Sequence, residues 1–245
     1  MVFLHKLYSS PRRAVTTCAL GALSESLFYT ALAPQLLNLD QSLGLSHQSA
    51  GYLVAGYSLG YWLGISPAYL LLIRKSARAV ASIAGLLVTL ASILFAYGDS
   101  FAALFLSRII AGFGSVVMYS AVLGLAEGAL GTKYKGSAVG TVYAGAAAGS
   151  SVGPVLGSLA LLVGRPKLFS ALAMAQLCVA LLLAAIPARD PKPHLSLQRL
   201  RRCLCDGMVW TGLWVTSVPG FAIGVLTIQA LISCINLEHS PGWSL

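Results

Sequence analysis

Two ionisable residues sit where ionisable residues are costly. Glu25 interrupts an apolar run that begins near Ala14, and Arg108 interrupts one that begins at Phe101. Glu25 lies about eleven residues into its run, or ~16 Å at the ~1.5 Å rise of a helix, close to the midplane of a ~30 Å hydrocarbon layer. An ionised, unpartnered carboxylate is unstable there. It binds a proton, pairs with a cation, or is satisfied by Ser24, Ser26 or a neighbouring helix. The first two describe a proton-coupling or cationic-substrate site, the third a structural carboxyl. Arg108 keeps its charge, so it requires an acceptor, water or backbone carbonyls. Glu25 and Arg108 are candidates for one hydrated network. Tyr29, Tyr119 and Tyr143 are expected to line the same cavity, and Gln35, Tyr57, Tyr61 and Gln176 are further polar groups inside apolar runs. Glu127 is expected to pair with Lys133, Lys135 or the basic turn RKSAR.

Other chemistry finds no support. His5, His47, His194 and His239 all fall outside the apolar runs. No metal-ligand cluster, phosphate-binding loop or Ser-His-Asp arrangement is present, so neither an enzyme nor a bound cofactor or metal is expected. Cys18, Cys178, Cys203, Cys205 and Cys234 make an odd count without zinc spacing. Cys203 and Cys205, beside RLRR, read as boundary residues or a palmitoylation site.

The elements that must position Glu25 and Arg108 are membrane helices. The 245 residues are 57% hydrophobic and only 9% charged, with a mean hydropathy of +0.81, whereas soluble domains carry about a quarter charged residues. Seven spans are expected, at residues 14–37, 50–73, 79–97, 101–130, 137–163, 168–186 and 207–235. A basic start at 1–13, a basic loop at 187–206 and a tail at 236–245 complete the chain. The start is not a cleaved leader, because the apolar run continues past Ser24, Glu25, Ser26 and Tyr29.

The net charge of +9 points to membrane orientation, not to nucleic acid. With the N-terminus in the cytoplasm, alternating spans put Lys6, Arg12, Arg13, Arg74, Lys75, Arg78, Lys133, Lys135, Arg189, Lys192, Arg199, Arg201 and Arg202 on that side. Only Arg165 and Lys167 fall outside. This is a strong positive-inside pattern, and it excludes a seven-helix receptor with an outer N-terminus. An integral, multi-pass protein is expected, in the cell membrane with its N-terminus cytoplasmic.

Small residues mark the packing faces. Gly145, Gly149 and Gly153 recur every fourth residue, followed by Pro154 and Gly157. Gly56, Gly60 and Gly64 with Pro67 repeat the pattern 89 residues earlier (145 − 56). Such stripes let helices approach backbone to backbone in lipid. The repeat falls on the second helix of two successive three-helix units. Three is odd, so the units have opposite topology, as in transporters built from inverted repeats.

Four stretches carry a family resemblance. They are LGLSHQSAGYLVAGYSLG, the turn Tyr69–Arg78, Arg108-Ile-Ile-Ala-Gly112-Phe-Gly114, and Gly145-AAA-Gly149-SSV-Gly153-Pro154-VL-Gly157-Ser158. Together they resemble the N-terminal half of a major facilitator superfamily transporter of the drug:proton antiporter or efflux type. Arg74 and Arg78 match the family's G-x-L-x-D-R-x-G-R-R turn, in which Lys75 is a variable position. Tyr69, Ile73 and Ser76 replace its first glycine, its acid and its second glycine, so the latch formed through that acid is not expected. The last two stretches resemble R-x-x-x-G-x-G and G-x-x-x-G-P-x-x-G-G.

The resemblance implies an all-α bundle: a six-helix half of two inverted repeats, with the seventh span opening a second half. It implies alternating-access transport of a small molecule, driven by protons, with Arg108 in the coupling. It also implies that the second and fifth helices face the other half, so their stripes would face a missing C-terminal half or a second copy. The alternative is a truncated, non-transporting membrane protein that at most assembles with a full-length partner.

Overall fold

The structure, a computed structural model, describes residues 10–35 and 47–186, with the isolated positions 207 and 211. The chain divides into residues 1–193 and 194–245, and every helix described below belongs to the first unit. The basic loop, the seventh span and the tail expected at 187–245 lie outside the described residues, positions 207 and 211 excepted.

Six long helices make up this bundle: α1 Pro11–Thr30, α2 His47–Arg74, α3 Ala77–Tyr97, α4 Phe101–Leu130, α5 Lys135–Val163 and α6 Arg165–Ala184. A short 3-10 turn, Thr132–Tyr134, joins α4 to α5. Local chemistry sets the ends. Pro11 opens α1, where a helix has no use for its missing donor. Ser76 and Ser100 cap α3 and α4 by accepting from the backbone of Ala79 and Ala103. Gly131 and Gly164 end α4 and α5 at φ of 77° and 95°, where a side chain would be strained. The first helix stops earlier than the expected residue 37. Pro34 cannot donate to the Thr30 carbonyl, so the chain turns at Ala31 before the helical residues 32–35.

The helices α3, α4, α5 and α6 are each long and apolar enough to cross a membrane. The first two are more polar, because α1 carries Ser24, Glu25 and Ser26 and α2 carries several tyrosines, serines and glycines.

The packing follows the internal repeat. The main helix pairs are α2 with α4, α1 with α5, α3 with α4 and α3 with α6. Each unit's second helix therefore lies on the first helix of the other unit. The glycine stripes are the contact surfaces. A Cβ on Gly56 would meet Phe105 at 2.9 Å, one on Gly60 would meet the Ile109 backbone, and one on Gly64 would meet Phe113 and Val116. On the other pair, Gly145 lies over Ala19, Gly149 over Leu23, Gly153 over Leu27 and Thr30, and Gly157 over Ala31. Both pairs run parallel, as alternating spans require. The registers are also equivalent, since 105 − 19, 109 − 23, 113 − 27 and 116 − 30 are all 86.

This corrects one expectation. The stripes do not face outward to another half or a second copy; they are seated on α4 and α1 within the same bundle. The physical reason is close backbone approach, which only glycine permits at these crossings. Larger side chains, including Tyr52, Trp62, Val155 and Leu162, occupy the exposed faces of α2 and α5. Both α2 and α5 continue as helices through Pro67 and Pro154.

The apolar interior forms two clusters. One contains Ala14, Cys18, Ala22, Val117, Ala121 and Leu183. The other contains Phe28, Phe95, Leu104 and Phe169, with Phe28 edge-on to Phe95 and Phe169. Along α1, Glu25 and Ser26 lie between the two clusters, and along α4 Ser115 does.

The crossings set the first prediction. Gly149→Ala places a methyl against the Leu23 carbonyl and should cost about 1–3 kcal/mol by overpacking. Gly140→Ala, on the same helix but with open space around it, should be neutral or gain up to ~1 kcal/mol from helix propensity. Thermal unfolding of the two variants in detergent checks the opposite signs.

Candidate functional site

Three helices converge on Glu25. The α2–α4 crossing is tight because both faces are glycine. A Cβ on Gly112 would strike the Tyr57 carbonyl, as one on Gly60 strikes Ile109. This contact holds Tyr57 of α2 against the polar face of α4. The α1–α5 crossing fixes α1 in the same way, with Gly149 within 3.0 Å of the Ser26 Cβ if given its own Cβ.

Glu25 is only 2% exposed. Its Oε1 accepts from the Tyr57 hydroxyl at 2.6 Å and from the Ser115 hydroxyl. Ser26 Oγ lies 3.5 Å from Oε2 and shares a 2.8 Å hydrogen bond with the Tyr119 hydroxyl. Residues of α1, α2 and α4 thus form one continuous hydroxyl–carboxylate set. Ser24, expected as a partner, donates instead to the Gly21 carbonyl of its own helix.

Arg108 is 1% exposed, and it is held differently. Its guanidinium carbon lies 4.9 Å from the centre of the Tyr57 ring, 5.5 Å from Tyr29 and 5.7 Å from Phe28. These are cation–π distances. None of its three side-chain nitrogens has a hydrogen-bond partner among the described residues. No ion pair joins it to Glu25. Tyr57 makes the connection, with its hydroxyl on the carboxylate and its ring on the guanidinium.

The expected cavity residues therefore divide. Glu25, Arg108, Tyr29 and Tyr119 come together. Tyr143, on α5, is 55% exposed and stands outside this hydrogen-bonded set. Tyr61 stacks beside Tyr57 at 6.3 Å. Gln35 donates to the Gly157 carbonyl at 2.7 Å, across the α1–α5 contact, and Gln176 is buried beside Met118. Glu127 pairs with Lys135 at 3.1 Å. Arg74, Lys75 and Arg78 lie at the α2–α3 turn. At the opposite end, Arg165 donates to the Gly98 carbonyl at 2.8 Å and approaches Asp99 at 3.4 Å, tying the start of α6 to the α3–α4 turn.

Sequence reasoning missed Ser115 and Phe28, and it left Tyr57 among several candidates. A signal for Ser115 was present. Arg108, Ser115 and Tyr119 recur at i, i+7 and i+11, which is one face of a helix, on a largely apolar span. Nothing local marked Phe28, because its role depends on which helix lies opposite.

The second prediction concerns Tyr57. A double-mutant cycle with Tyr57→Phe and Glu25→Gln, read by unfolding in detergent, should give a coupling energy of about 1–3 kcal/mol. Tyr57→Leu, which also removes the ring from Arg108, should destabilise more than Tyr57→Phe.

A sequence model described as Major Facilitator Superfamily matches residues 18–244. No curated protein matches the chain.

Proposed function

Because this chain belongs to the Major Facilitator Superfamily, whose members carry small molecules across membranes, we propose that it acts in proton-coupled efflux by alternating access. The observation that carries this reading is the position of Glu25. It is a carboxyl buried in α1, five residues before Thr30, bonded to hydroxyls from α1, α2 and α4. A carboxyl so placed changes its bonding whenever those three helices shift. Protonated, it donates one hydrogen and accepts fewer; ionised, it accepts from every neighbour. Proton occupancy and helix arrangement are then linked thermodynamically, which is the requirement for coupling.

Arg108 contributes through Tyr57. The Tyr57 ring meets the guanidinium and its hydroxyl meets the Glu25 carboxylate, so the two charges are linked without an ion pair that would have to break. The glycine crossings hold α2 on α4 and α5 on α1 as rigid pairs that can rock as units, and Pro67 and Pro154 remove one backbone bond each from α2 and α5. In this reading Gly56, Gly60, Gly64, Gly112, Gly145, Gly149, Gly153 and Gly157 serve packing and gating together. Orientation follows from charge: the N-terminus, the α2–α3 turn and the α4–α5 turn are cytoplasmic, in the cell membrane, and Arg165 and Lys167 lie outside.

Two measurements test the proposal. In proteoliposomes, uptake of labelled small molecules should accelerate under an imposed pH gradient. Glu25→Gln should remove at least ~10-fold of that acceleration, about 1.4 kcal/mol, while sparing gradient-free exchange. An unchanged gradient response in Glu25→Gln would sink the coupling role. For orientation, single cysteines at Lys75 and Lys167 in a cysteine-free background should react with a membrane-impermeant maleimide from opposite sides, Lys167→Cys from outside intact cells. Labelling of Lys75→Cys from outside would reverse the topology.

A further inference from the structure

We infer that Arg108 is an anion-binding group and that the cargo it receives is a small organic monocarboxylate with an aromatic or apolar body. This deepens the transport reading and rests on it only in making the bound anion the cargo.

Three observations converge. First, the guanidinium is buried with all three nitrogens unpartnered. It cannot shed its charge, and a buried charge without a hydrogen-bonding counter-ion is strongly disfavoured. Second, the nearest acid is already engaged. Glu25 takes hydroxyls from Tyr57, Ser115 and Ser26 and makes no ion pair with Arg108. A carboxylate from outside would meet the planar fork of Arg108 in two parallel hydrogen bonds, the geometry for which a guanidinium is suited. Third, the walls are rings. Phe28, Tyr29 and Tyr57 surround the guanidinium at 4.9–5.7 Å, and Tyr29, the exposed one of the three, offers an aromatic or apolar body a ring to pack against.

The same arrangement disfavours the opposite cargo. An aromatic cage is the usual receptor for an organic cation, but here the protein's own cation fills it. An incoming amine would meet like charge. Tyr29, 38% exposed, is the most accessible of the three rings and marks the approach to Arg108.

The charge balance is definite. One monoanion leaving in exchange for one proton entering moves two charges in the same electrical sense. An inside-negative membrane potential therefore drives export along with the pH gradient.

The test compares benzoate, benzylamine and benzyl alcohol on the purified full chain in detergent, read by thermal unfolding. A ligand that binds the folded state raises Tm with its concentration. Benzoate should raise it, and benzylamine and benzyl alcohol should not. Arg108→Gln should abolish the benzoate shift, and Arg108→Lys, which keeps the charge and loses the fork, should need at least ~10-fold more benzoate. A benzoate shift no larger than that of benzyl alcohol, a shift with benzylamine instead, or a shift undiminished in Arg108→Gln would each overturn the proposal. The comparison of the three ligands on the unaltered protein stands even if an Arg108 variant does not fold. A benzoate shift without gradient-driven uptake would remove the transport reading and leave the anion site. Gradient-driven uptake with a shift from benzylamine alone would do the reverse.

Discussion

The architecture depends on two glycine-lined helix contacts, α2 on α4 and α5 on α1, made at backbone distance. Where Gly60 meets Ile109 and Gly112 meets Tyr57, no side chain intervenes, so α2 and α4 are fixed in register and in azimuth. Where Gly145, Gly149, Gly153 and Gly157 run along α1, the first helix is fixed equally. In lipid, apolar side chains gain little by exchanging lipid for a neighbouring helix, so close van der Waals contact decides which helices pair. The placement of Tyr57 and Ser26 against Glu25 follows directly from these contacts.

The repeat supplies a symmetric frame, and the polar residues break it. By the 86-residue offset that relates α1 to α4, Glu25 corresponds to Ala111 and Arg108 to Ala22. By the 89-residue offset that relates α2 to α5, Tyr57 corresponds to Ala146. The packing residues are thus shared by both halves of the repeat, whereas the charged and phenolic groups occur once. An asymmetric polar layer inside a symmetric scaffold concentrates electrostatic cost in one place, with Glu25 between the two apolar clusters and Arg108 set into the second.

Within that layer the two charges are treated oppositely. Glu25 is saturated with hydrogen bonds, and Arg108 has rings but no acceptor. Tyr57 serves both, which makes the hydroxyl and the ring of one residue separable in function. A direct ion pair would have neutralised both groups and locked α1 to α4. The indirect contact leaves the two groups linked through Tyr57 with no ion pair between them.

The amino-acid sequence by itself determined the class of protein and the inventory of the site. Low charge, long apolar runs and asymmetric basic turns are properties of composition and order, so the membrane class, the approximate placement of the six described helices and the identity of Glu25 and Arg108 as costly residues were all legible. Helical periodicity is local, so the stripes were legible too, as was the repeat that relates them. Only the tertiary structure decided what those faces touch. It turned the stripes inward onto α4 and α1, placed Tyr57 between Glu25 and Arg108, brought in Ser115 and Phe28, and left Tyr143 on the surface. The reason is physical. A helix's own pattern fixes which residues share a face, but the partner of that face is selected by shape complementarity between surfaces distant in the chain, and in lipid no difference in hydrophobicity marks the choice.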